Sequence, residues 1–148
     1  ILFLPPFFFY SPPMNDKPRE RVFVYGTLKR GFCNHALLDE AEFIGEATTV
    51  ARFGFYLGAD DYAPEGEEIP YLYRQTKAAN EAMTVHGEVW EISPATLRQL
   101  DRLEGHPDWY QRENIQVQMD SEAIVAVQAY LRPGSPPDAY RPIEGGCF

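Results

Sequence analysis

The sequence predicts an α+β domain built on a small, mixed, barrel-like β-sheet with flanking helices. Three observations carry this. About seven runs are rich in β-formers, one segment is clearly helical, and the strands outnumber the helix without alternating with it. The missing alternation argues against a doubly wound parallel sheet and for a strongly curled one. The length of 148 residues suits one domain.

The first thirteen residues, ILFLPPFFFYSPP, carry no charge and end just before Met14. They are too short and too proline-broken to span a bilayer, which needs about 20 apolar residues. They have neither the basic front nor the small-residue cleavage site of a secretory signal. The favoured reading makes 1–13 a leader or an appended extension and 14–148 a single domain. The alternative is an arm that packs its apolar side chains on a neighbour.

Arg21–Tyr25 reads as a short apolar strand, followed by a loop over 26–35 and a helical turn at Ala36–Glu40. Phe43–Val50 and Arg52–Leu57 are rich in β-formers and read as strands. Residues 58–68, GADDYAPEGEE, form an acidic loop, and Ile69–Tyr73 is another apolar run. Segment 74–82 is polar, a loop or a short helical turn. Thr84–Ile92 alternates by twos, with Val85, Gly87 and Val89 opposite His86, Glu88 and Trp90, and is a strand. Ser93 offers an N-cap with Pro94 at the first helical position, and the helix runs to Glu104. Leu97, Leu100 and Leu103 share its apolar face, and Gly105 and Pro107 stop it. Glu113–Met119 and Ile124–Leu131 are two further strands around a turn at Asp120–Ser121. The Pro/Gly-rich tail after Leu131 is expected to lie over the surface without regular structure.

The formal net charge of −9 argues against a nucleic-acid or anionic-membrane surface, because both require a positive field. Cys33 and Cys147 have no partner at metal-ligand spacing and read as free thiols of a reducing, cytoplasmic compartment. His35, His86 and His106 form no HExxH or HxxxH pattern, so no metal is expected. No GxSxG elbow supports a serine hydrolase. Cys33 with His35 is a poor nucleophile pair, since residues two apart in an extended segment do not face each other usefully. Asp101 and Glu104, three apart on one helix, do not flank a substrate as glycosidase carboxylates do.

Two stretches remain. In VFVYGTLKRGFCNH a buried strand runs into a glycine-bearing loop that fits neither a Walker loop nor a dinucleotide fingerprint. Successive N–H groups at Gly26, Thr27 and Leu28 suit a carboxylate or a developing oxyanion, but on these residues alone a bare strand-to-loop turn is the better reading, because glycine is the default turn residue. In LDRLEGHPDWYQR, Glu104 is the last residue before the helix breaks, next to the apolar stripe. Burial and the helix dipole would both raise its pKa, toward about 6–7, where it serves as a general acid/base. The competing reading is a solvated charge at a helix end.

Together VFVYGTLKRG…NH, GEVW and LDRLEG…YQR resemble the γ-glutamylcyclotransferase-like proteins, most closely the γ-glutamylamine cyclotransferase and AIG2-like branch. The resemblance spans Val22 to about Leu131. It implies a small mixed barrel with flanking helices. It implies a reaction that turns a γ-glutamyl amide into 5-oxoproline and a free amine without a cofactor. Residue by residue, it implies that the backbone of Tyr25, Gly26, Thr27 and Leu28 holds the glutamyl moiety. It further implies that Glu104 is the catalytic acid/base, that Tyr130 lines the pocket, and that Tyr110 and Arg112 support it. The implied partner is a small γ-glutamyl substrate, with no nucleic acid and no membrane. Residues 1–13, 58–68 and 74–82 have no counterpart in the family pattern, which leaves the leaving amine open. Two alternatives use the same fold: a non-catalytic metabolite-binding module, and an enzyme that removes a γ-glutamyl group from a carrier-bound intermediate.

Overall fold

The structure, a computed structural model, describes residues 19–59, 63 and 65–148. The extension expected over 1–13 lies outside the described residues. Eight strands are present among those described: β1 (Glu20–Val24), β2 (Glu42–Thr49), β3 (Gly54–Gly58), β4 (Ile69–Tyr73), β5 (His86–Ile92), β6 (Gln111–Met119), β7 (Ile124–Leu131) and β8 (Arg141–Pro142). One α-helix, α1 (Pro94–Glu104), and 3-10 turns at His35–Leu38, Ala79–Glu81 and Glu144–Gly146 complete them. The predicted boundaries fall within about two residues of these.

Five strands close a barrel in the order β1-β5-β2-β6-β7. Closure comes from a parallel contact of β7 with β1, where Val22 pairs with Gln128. Alternation along β1 feeds two cores. Phe23 joins Ala47, Val89, Val117, Val127 and Ala129 in one cluster. Val22 and Val24 join Trp90, Ile92, Leu97 and Leu100 in another, under α1. A strand buried on both faces needs apolar residues throughout, which accounts for the unbroken run in β1. The expected alternation of β5 is overridden in the same way: Gly87, Glu88, Val89 and Trp90 are all buried.

The second sheet has the order β4-β3-β8. It is fastened to the end of β7 by the bridge between Tyr73 and Arg132 and by Arg132 N–H donating to the Leu72 carbonyl at 2.8 Å. The tail thus departs from expectation. Arg141 and Pro142 pair with Leu57 and Tyr56 of β3, and an edge position tolerates the missing proline donor.

Helix α1 starts and stops as its sequence dictates. Ser93 Oγ accepts from Thr96 N–H at 3.1 Å, and Gly105 closes the C-terminus in the left-handed region at φ 62°. Leu97 and Leu100 are buried, whereas Leu103, expected on the same face, is 40% exposed. The last turn of the helix leaves the core and reaches the rim of a cavity, and Leu103 lines that rim. The 3-10 turn at His35–Leu38 buries Leu38 and stands where Ala36–Glu40 was expected. The β6–β7 turn is closed by Glu122, at φ 71°, with its N–H on the Met119 carbonyl at 2.8 Å.

Candidate active site

A cavity of about 180 Å³ opens where the end of β1, the start of β4, the end of α1 and β7 meet. Its lining includes Tyr25, Gly26, Thr27, Leu28, Glu104 and Tyr130. Residues from the two separate stretches singled out in the sequence therefore share one wall system.

The loop after β1 is held by its carbonyl groups. Lys29 N–H donates to the Gly26 oxygen at 3.0 Å and Asn34 N–H to the Thr27 oxygen at 2.9 Å. His35 Nδ1 lies 3.0 Å from the Leu28 oxygen. Asn34 Nδ2 also donates to Thr27 Oγ1 at 2.9 Å. By contrast, the N–H groups of Gly26, Thr27 and Leu28 make no hydrogen bond among the described residues. Unbonded amides next to a cavity are a ready cradle for an anionic oxygen.

Gly26 is required by space, not by a positive φ. A Cβ there would lie 2.8 Å from Pro70 Cγ, and Pro70 itself lines the cavity. Lys29 and Arg30, the loop's cations, do not line it. The Lys29 ammonium donates to the Phe148 main-chain oxygen. Arg30 donates from its main chain and from Nε to the two oxygens of Glu88, each at 3.0 Å. Burial alone would pull the Glu88 carboxyl up, but the Arg30 bonds and the Trp90 indole N–H at 3.2 Å outweigh it and hold the carboxyl below its ordinary range. This network braces the loop from behind. Neither of these two side chains is therefore placed to meet an anion in the cavity.

Glu104, at the end of α1, lines the same cavity. Burial pushes its carboxyl up to about 7. By accessible surface Glu104 is half-buried, between the two readings the sequence left open, and desolvation is the cause of the rise. Its charge in turn helps keep Tyr25 and Tyr110 neutral, after burial, which is the larger cause for both. Asp101, one turn earlier, has a different surrounding. It pairs with the Arg112 guanidinium and accepts from the Tyr130 hydroxyl at 2.6 Å.

The structure brings in residues the sequence did not single out: Asn34, Ile69, Pro70, Tyr71 and Trp109 all line the cavity. The Asn34 and Ile69–Tyr73 positions were visible as motif text or as an apolar run, but nothing in either pointed to a site. Behind the aromatic wall, the Arg132 guanidinium lies 3.8 Å over the Trp109 ring. Of the histidines, His106 Nδ1 accepts from Arg112 N–H at 3.0 Å and His86 Nδ1 meets Thr48 Oγ1 at 2.9 Å. Among the described residues no cluster of His, Cys, Asp and Glu is arranged to hold a metal. Both cysteines are exposed and free. No helix among these residues is long and apolar enough to cross a membrane.

Comparison with known proteins gives a consistent result. The sequence model of the family described as "Gamma-glutamyl cyclotransferase, AIG2-like" matches residues 22–148. A protein of Methanocaldococcus jannaschii, provisionally named a γ-glutamylcyclotransferase, is 35% identical over 117 residues, covering 78% of this chain and 87% of that one. The γ-glutamylaminecyclotransferase of Rattus norvegicus is 37% identical over 103 residues, covering 66% of this chain and 63% of its own. The crystal structure of an AIG2-like protein from Mus musculus superposes with a TM-score of 0.65 at 34% identity, covering 81% of each chain.

Proposed function

The chain belongs to the γ-glutamyl cyclotransferase, AIG2-like family, and from this premise we propose that it is a cofactor-independent cyclotransferase acting on a γ-glutamyl amide or γ-glutamylamine. The products are 5-oxoproline and a free amine. One juxtaposition carries the reading: three unbonded loop amides and a carboxyl of pKa about 7 line the same small cavity.

The chemistry follows from the groups present. The substrate's α-ammonium has no lone pair and cannot attack. Glu104, as the carboxylate, takes one proton from it. The freed amine attacks the substrate's own γ-carbonyl carbon, closing a five-membered ring and leaving a tetrahedral oxyanion. The N–H groups of Gly26, Thr27 and Leu28 stabilise that oxyanion or hold the glutamyl carboxylate, at about 3 kcal/mol per well-placed donor. Glu104 returns its proton to the departing nitrogen and takes up the second proton from the ring nitrogen, which attack has left positively charged; the γ-carbon–nitrogen bond breaks, and the amine leaves. A carboxyl titrating near 7 suits both transfers at neutral pH. Ring closure is intramolecular, so the cavity has only to hold the glutamyl chain curled. Tyr25 and Tyr130 supply part of the surface that curls it.

The test is release of 5-oxoproline from a panel of γ-glutamyl-ε-lysine, γ-glutamyl α-amino acids and glutathione, with Glu104→Gln as control. Release from one member, abolished in the variant, supports the reading and names the amine class. No release, combined with a ligand-induced rise in melting temperature, points to a binding module instead.

A further inference from the structure

The Tyr130 phenol and the Asp101 carboxylate form a contact that the steps above do not use. Tyr130 is buried and lines the cavity, whereas Asp101 does not line it. The phenol reaches Asp101 Oδ1 at 2.6 Å, and the Arg112 guanidinium takes Oδ2. Arg112 is itself placed by its main-chain N–H on His106 Nδ1 at 3.0 Å, and the Tyr130 main-chain oxygen is held by Tyr25.

A phenol has one proton and two acceptor lone pairs, while a carboxylate can only accept. The proton of Tyr130 is therefore committed to Asp101. Burial first, and then the Asp101 bond, keep the phenol far above its ordinary pKa, so it does not ionise. The Arg112 guanidinium also faces the phenol oxygen, so what remains for a substrate is a neutral oxygen with one lone pair to offer. The donor that needs such an acceptor is the substrate's α-ammonium, the group that must also face Glu104 on the same helical turn as Asp101.

We propose that Asp101 is a positioning residue that fixes the Tyr130 hydroxyl proton, so that the phenol oxygen meets the substrate only as an acceptor for its α-ammonium. The proposal rests on the cyclotransferase reading. Without Asp101 the hydroxyl can turn its proton toward the ammonium and disfavour it.

The experiment is a double-mutant cycle of Asp101→Asn and Tyr130→Phe on the full chain, read as kcat/KM for a γ-glutamyl amide. A parallel measurement takes the inhibition constant of a glutaryl amide, which lacks the α-amine. Each single variant is expected to lose about tenfold or more, the scale of one hydrogen bond to a charged group. The double variant is expected to be no worse than Tyr130→Phe alone. The glutaryl amide constant should change by less than about twofold, as expected where no hydrogen-bond partner is lost. Losses that multiply, or inhibition that weakens in step with kcat/KM, would overturn the proposal as merely structural packing. If Asp101→Asn does not fold, Tyr130→Phe decides alone, because it leaves the Asp101–Arg112 pair in place. A wild-type chain that turns over no γ-glutamyl amide removes the underlying reading and this proposal together. A turning-over wild type with multiplying losses removes the proposal only.

Discussion

The Tyr25 hydroxyl donates to the main-chain oxygen of Tyr130 at 2.6 Å, joining residues 105 positions apart. The bond ties the exit of β1 to the end of β7, beyond the parallel contact that closes the barrel. The loop that follows Tyr25 therefore starts from a fixed point, and its residues Gly26, Thr27 and Leu28 line the same cavity as Tyr130.

Glu104→Gln should fold and lose turnover by a factor of about 10² to 10⁴, the usual contribution of a positioned acid/base. In the wild type, kcat/KM should rise through about pH 7, since the base acts as the carboxylate and its carboxyl titrates there. Initial rates of 5-oxoproline release between pH 5 and 9 check both. Full activity in the variant removes Glu104 from the mechanism.

The same carboxyl makes stability depend on pH, with a definite sign. Its folded pKa of about 7 lies above the ordinary 4.5, so the folded state binds the proton more tightly than the unfolded chain. The stabilisation from the protonated form is complete at low pH and is lost as pH rises from about 4.5 to about 7. Glu104→Gln cannot ionise. It should exceed the wild type in unfolding free energy at pH 8, by up to about 3 kcal/mol, and match it near pH 4. Urea denaturation of both proteins at the two pH values reads the difference, and equal stabilities at pH 8 would mean that Glu104 is solvated.

Gly26→Ala places a methyl 2.8 Å from Pro70 Cγ. One of the two must shift, at about 1–3 kcal/mol, as in overpacked sites elsewhere. Because both residues line the cavity, kcat/KM should fall by more than the loss of stability accounts for. Thermal melts and steady-state kinetics on one preparation separate the two effects. A variant that melts early but keeps wild-type kcat/KM at 15 °C would show the contact to be purely structural.

Removal of residues 1–13 should leave 5-oxoproline release unchanged, since residues 14–148 are proposed to form the working domain and the family match begins at residue 22. A severalfold drop in kcat/KM would assign the segment to that domain.

The barrel was legible because β-forming runs, their number and the lack of strand–helix alternation are local properties. Strand β8 was not, because two residues including Pro142 carry no pattern and pair only through β3. The exposure of Leu103 was not legible, because helical periodicity says which residues share a face but not where the core beneath that face ends. At Glu104 the pattern left burial and solvation both open. The decision came from parts of the chain far from α1 that enclose the cavity. Gly26 was read as a turn residue, whereas its reason is Pro70 on another strand. The Asp101–Tyr130 bond spans 29 residues and has no signature in either segment.

Helix α1 carries Glu104 on its final residue, directly before the left-handed Gly105. An α-helix turns by about 100° per residue. One residue inserted between Ser93 and Glu104 would swing the carboxyl out of the cavity while leaving the helix itself intact. The helix therefore acts as a fixed ruler whose count of residues sets the aim of the carboxyl.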